Sequence, residues 1–270
     1  ERRTVITMSY LANMARYVAD GGALLIAAGE DFAGPASLAN TPLASVLPAL
    51  PTGLINIGAF TPKLSDTGRR HTITQSLPDQ SWGDWVRYID AEVEAGDVLM
   101  TARNDDPLLV VDRVGEGRVA QILSGQVWLW ARGYDGGGPF SELIRRTVHW
   151  LMKEPELEER QLLLEAQGDT MRARLRTLSD TAPALSVETP DGETLTPRWT
   201  ETGPGEFTAE LAIDQLGLFR AEAGGLEAVA LNGPANPKEY ASLEATGEVL
   251  APLSAATGGG VYELPRPGAS

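Results

Sequence analysis

The hydrophobic pattern of this 270-residue chain changes period at Pro155, and no other feature constrains the fold as strongly. Before it, residues 141–153 place Leu143, Ile144, Val148 and Leu151 on one side of a helix. After it come short apolar runs at 162–164, 171–175, 185–187, 207–211 and 217–221. Asp191-Gly192 and Gly203-Pro204-Gly205 separate them with turn chemistry. Frequent short strands between Gly and Pro turns predict a β-sandwich-like domain. The expected layout is a first domain at 1–155, a smaller sandwich-like domain at 156–235 and a C-terminal segment at 236–270. Charge divides the same way: residues 1–155 carry 14 basic and 18 acidic side chains, residues 156–270 carry 8 and 19.

In the first part, residues 8–20 have amphipathic helical spacing and Gly21-Gly22 stops them. Residues 23–28 follow as a short apolar run without alternation, which predicts a strand buried on both faces, as in a parallel sheet. Residues 37–47 are expected to form a helix leading to Pro48. Residues 54–60, 98–102, 108–112 and 119–123 read as further strands, and Gly115-Glu116-Gly117 as a tight turn.

A net charge of −15 excludes a phosphate-binding surface of clustered Lys and Arg, so no nucleic-acid partner is expected. The absence of cysteine excludes disulfides, zinc thiolate sites and a thiol nucleophile. No apolar run reaches the ~18–20 residues that span a bilayer, so direct membrane insertion by this segment is not expected. The first residue is Glu1 rather than Met, which reads as the interior of a longer, N-terminally truncated chain.

Three segments carry a family resemblance. They are Tyr17-Val18-Ala19-Asp20-Gly21-Gly22-Ala23-Leu24-Leu25-Ile26, Gly115-Glu116-Gly117-Arg118-Val119, and Trp128-Leu129-Trp130-Ala131-Arg132-Gly133-Tyr134 with His149-Trp150-Leu151. Together they resemble the class I glutamine amidotransferase-like domain of large bacterial membrane proteins. The tail, with Asn236-Pro237-Lys238-Glu239 and Thr257-Gly258-Gly259, is similar to the end of the extracytoplasmic parts of such proteins. The resemblance implies an α/β fold, a flavodoxin-like parallel sheet flanked by helices. It also implies a soluble domain of an inner-membrane protein, with the periplasmic side favoured over the cytoplasmic. Active members use a Cys at a strand-to-helix turn, with a His to take its proton. Here those places hold Ala28-Gly29-Glu30-Asp31 and Ser124-Gly125-Gln126-Val127-Trp128. The resemblance therefore implies a domain without the family's catalysis.

The remaining candidates are binding residues. Glu30 and Asp31 follow a strand, where ligands bind in open α/β sheets. Trp128, Trp130, Arg132 and Tyr134 could make an aromatic, cation-lined recess or a partner surface. His71 follows Arg69-Arg70 in a polar loop near a conceivable site, and His149 reads as structural. No metal-ligand spacing occurs, and no metal or cofactor is expected. Two functions follow. One is a non-catalytic interaction or scaffolding module of a larger envelope-associated bacterial protein, contacting protein partners or other domains of its parent chain. The alternative is a small-molecule binding or hydrolytic site at the sheet's C-terminal edge, built from Glu30, Asp31, Arg132 and Tyr134.

Overall fold

The structure is a computed structural model that describes residues 6–78, 82–233 and 251–260. In chain order, the first part contains α1 (Met8–Ala19), β1 (Ala23–Ala27), β2 (Ala49–Phe60), β3 (Lys63–Leu64), α2 (Asp66–Arg70), β4 (Trp85–Val93), β5 (Asp97–Thr101), β6 (Pro107–Val114), β7 (Gly117–Ile122), α3 (Trp128–Ala131) and α4 (Phe140–Leu151). The second part contains β8 (Gln161–Gln167), β9 (Thr170–Arg176), β10 (Leu185–Glu188), β11 (Thr194–Leu195), β12 (Thr200–Gly203), β13 (Glu206–Ala212), β14 (Gly217–Ala223) and β15 (Leu226–Asn232). A short helix, α5 (Ala251–Ala256), follows. Most of the expected 236–270 segment, including Asn236-Pro237-Lys238-Glu239, lies outside the described residues.

The expectation of a flavodoxin-like parallel sheet flanked by helices is overturned. The main sheet runs β1-β7-β6-β5-β3, and only β1 and β7 are parallel. The pairs β6–β7, β5–β6 and β3–β5 are antiparallel. Connection length is the physical reason. Only Gly115 and Glu116 lie between β6 and β7, and a parallel pair needs a crossover of a dozen or more residues. Gly115 takes φ +58° to close that turn. Among the described helices only α1 and α4 run to 12 residues, so the layers are mostly antiparallel strand.

The main sheet is covered on both faces, and alternate residues feed two cores. Leu109, Val111, Ala120 and Ile122 join one with Trp85, Leu143 and Trp150. Val110, Val119 and Leu123 join the other with Val18, Phe32 and Leu43. Every residue of β7 is buried. This is why β6 and β7 read as continuous apolar runs; two covered faces produce that pattern in either strand direction. β1 itself is an edge strand with mostly exposed side chains, Ile26 excepted, which corrects the reading of residues 23–28 as buried on both faces.

β2 and β4 form a separate antiparallel ribbon. It joins the main sheet where the Ile89 amide donates to Leu123 O at 2.8 Å and Gln121 bonds both backbone polar groups of Ala49. Residues 37–47 are not one helix but two 3₁₀ turns, Leu38–Asn40 and Pro42–Val46, capped by the Ser37 and Thr41 hydroxyls. Pro42 cannot continue a helix from Leu38, because it lacks the amide hydrogen and its ring crowds the preceding turn.

The second part is two four-stranded antiparallel sheets, β11-β10-β14-β15 and β12-β13-β9-β8. Their inner faces share one core, including Leu162, Met171 and Phe207 from one sheet and Val187, Phe219 and Ala221 from the other. This is β-sandwich-like packing. The two parts meet through charge. Arg113 contacts Glu158 and Glu159, Arg118 pairs with Glu158, and Arg70 with Asp180. No described helix is long and apolar enough to cross a membrane.

Candidate functional site

β1 and β7 run parallel, so both end at the same edge of the main sheet. Beyond β1 the chain turns at Gly29 into a short 3₁₀ segment, Glu30–Ala33, anchored by buried Phe32. Beyond β7 it continues through Ser124 and Gly125, whose backbone lies against Ala28 and Gly29. A cavity of about 460 Å³ opens here, lined by residues that include Gly29, Glu30, Asp31, Phe32, Leu38 and Arg87. Glu30 is ion-paired with Arg87, which reaches in from β4. Sequence reasoning missed Arg87. Its only signal was a basic residue between Val86 and Tyr88 in a strand, which says nothing about the loop it meets.

The six candidate residues do not form one site. Glu30 and Asp31 line the cavity; Arg132 and Tyr134 do not. Trp130 is 3% exposed, and its ring lies 5.3 Å from Trp82 and 4.9 Å from Trp85 between centroids. Its indole N–H donates to Gly83 O at 2.7 Å. Trp130 is therefore a core residue and belongs to neither an aromatic recess nor a partner surface. Trp128 and Tyr134 are 53% and 47% exposed, and exposed Arg132 lies between them in sequence. These three side chains belong to one surface turn, α3 and the Tyr134–Gly136 turn that follows it.

Ser124 and the two histidines lie in hydrogen-bonded or packed settings. The Ser124 hydroxyl donates to Arg87 O at 2.7 Å and accepts from the Gln126 amide. His71 is not in an open polar loop, as its Arg-Arg neighbours suggested; it is 1% exposed. Its Nδ1 accepts from the Ile73 amide at 3.1 Å, and its Nε2 is buried without a hydrogen-bond partner among the described residues. Burial lowers its pKa from 6.5 to about 4, against the pull of Glu159. His149 pairs with Glu154 at the end of α4, 2.9 Å away.

Neither a family model nor a curated protein matches this chain. Among solved structures, two cytoplasmic proteins of Salmonella typhimurium are similar. One has 23% identity, a TM-score of 0.44 and coverage of 56% of this chain and 63% of that one. The other has 26% identity, a TM-score of 0.46 and coverage of 55% and 64%. The chain thus spans just under two thirds of the length of each. A catalytic mutant of Gan42B, a GH42 β-galactosidase from G. stearothermophilus, aligns over 77% of this chain and 30% of its own at 12% identity and a TM-score of 0.34.

Proposed function

We propose that this chain is a non-catalytic interaction module of a larger envelope-associated bacterial protein. It contacts protein partners or other domains of its parent chain through the surface turn that bears Trp128, Arg132 and Tyr134. The observation that carries this reading is the exposure of two large aromatic side chains on a turn whose other tryptophan is fixed in the core. Trp, Tyr and Arg dominate binding hot spots, Trp and Tyr because they bury large areas at low entropy cost and Arg because it offers a charged, many-donor head. A turn pinned through Trp130 presents them with little left to order on binding.

Photo-crosslinking tests it. With p-benzoylphenylalanine in place of Trp128, a discrete protein adduct is expected in the native host, and none with the same group in place of exposed Glu227. Trp128→Ala should weaken the captured complex about thirtyfold, the fold-change of a hot-spot loss of about 2 kcal/mol. An equal adduct yield at both positions would refute the reading. Protease protection of the tagged parent protein in spheroplasts tests its placement on the periplasmic side.

The cavity beside Glu30 favours a second reading, a small-molecule site at the end of β1 and β7. A ligand carboxylate would there take the place of Glu30 on Arg87. Loss of small-molecule binding in Arg87→Gln, with none in Trp128→Ala, would select it over the first.

A further inference from the structure

A second cavity, of about 420 Å³, lies where the two parts of the molecule meet. Thr61, Pro62, Lys63 and Leu64 form one wall around β3. Arg69 of α2 and Gln75, Leu77, Pro78 and Trp82 form the next. Pro204, in the hairpin between β12 and β13, closes it from the sandwich side. Among the described residues Pro204 is the sandwich's contribution to the lining. Arg70, next to Arg69, ties that side of the main sheet to Leu178 O and Asp180.

The lining has a consistent chemistry. Leu77 and Trp82 are buried and supply an apolar floor, and three prolines widen it. Lys63 and Arg69 supply positive charge on a chain of net charge −15. Among the described residues Lys63 has no ion pair. Among the described residues Arg69 meets only Asp66, at 3.8 Å, and both side chains are largely in solvent. Such a pair is worth little and is readily exchanged for a ligand carboxylate. The Gln75 amide nitrogen faces Glu206 Oε1 at 3.4 Å, and that carboxylate can only accept, so the amide oxygen is the group left over. Gln75 Oε1 is buried and has no donor among the described residues. Glu206 does not set the sign of the cleft, because Arg176 lies 3.8 Å from it.

The geometry points to a binding site for a small organic acid with a ring-sized apolar body. Its carboxylate lies between Lys63 and Arg69, and its body on Leu77, Trp82 and the prolines. This rests on different residues from the proposed partner surface and stands or falls separately.

The test is titration of the intact chain with mandelate, 4-hydroxyphenylacetate, quinate and glucuronate. Glucose serves as the neutral control and sulfate as the bare anion. The readouts are calorimetry and the Trp82 indole N–H resonance, assigned with Trp82→Phe. At least one of the four acids is expected to bind and shift that resonance, while glucose and sulfate do not. The doubly substituted K63E/R69E chain, altered only at exposed positions, should bind it at least tenfold more weakly with an unchanged melting temperature. The site is refuted if no acid shifts the Trp82 signal, if sulfate does so equally, or if K63E/R69E leaves affinity unchanged.

Discussion

A buried imidazole that cannot take a proton makes stability depend on pH. His71 is enclosed against Trp150, with ring centroids 5.8 Å apart, and its pKa is lowered to about 4 from an ordinary 6.5. Between those values the unfolded chain binds a proton that the folded chain refuses, so stability is fully present above pH 6.5 and falls as pH drops toward 4. Two and a half pKa units correspond to about 3 kcal/mol at most. His71→Asn keeps an acceptor for the Ile73 amide and removes the titration. Urea unfolding at pH 7 and pH 4.5 should show a clear loss for the native chain and a much smaller one for the variant; equal losses would contradict the assignment. Glu159 acts in a separate window. Burial pushes its carboxyl up, but hydrogen bonds from Arg113 and the Trp150 indole outweigh this and hold it at about 2. Its contribution is present above about 4.5 and lost only as pH falls toward 2.

At the scale of elements, close packing of α1 on β7 rests on a missing side chain. A Cβ at Gly117 would stand 1.9 Å from Val18 O and 2.5 Å from Gly22 O. Both are backbone atoms and cannot swing away. Gly117→Ala should therefore push α1 off the sheet and cost about 2–4 kcal/mol in urea unfolding. Gly168→Ala serves as the control, since its Cβ meets nothing within 4 Å and only its φ of +63° resists the change. The sequence showed that α1, β6, β7 and α4 exist, because periodicity and Gly or Pro stops are local signals. It did not show that β6 and β7 are antiparallel, although the two-residue link at Gly115 and Glu116 was there to be read as a hairpin. The apolar content of those strands reports covered faces, and direction had to come from the connection. The site was less legible. Glu30 and Asp31 were placed from the end of β1, but Arg87 and the cleft at Lys63 depend on partners far away in sequence. Trp128 and Trp130 are two residues apart, yet one is exposed and the other is core, a division decided by where Trp82 and Trp85 pack.

For the whole molecule the question is how firmly the two parts are joined. The junction is ionic and partly dry. Arg118 is buried, donates to Trp150 O at 2.6 Å, pairs with Glu158 and lies 4.9 Å from the Trp150 ring centroid. Arg113 reaches Glu159 at 2.7 Å, and Glu159 also accepts from the Trp150 indole at 3.0 Å. Both glutamates precede β8, so the chain enters the sandwich already tied to the main sheet. Removing Glu159 leaves the buried Trp150 indole N–H without its acceptor, while half-exposed Arg113 keeps Glu158, a loss of about 1–3 kcal/mol. The Arg70–Asp180 contact differs because Asp180 is open to solvent, and exposed pairs contribute about 0–1 kcal/mol. Glu159→Ala should therefore cost several times more than Asp180→Ala. It should also divide a single urea transition into two, with the sandwich signal at Trp199 separating from that of the tryptophans clustered around Trp85. Far-UV circular dichroism and tryptophan fluorescence would follow both. Coincident transitions in Glu159→Ala, or equal losses in the two variants, would mean that apolar contact rather than this charge network couples the parts. A divided transition would also bear on the cleft closed by Pro204, since a ligand seated there bridges both parts and should draw the two transitions back together.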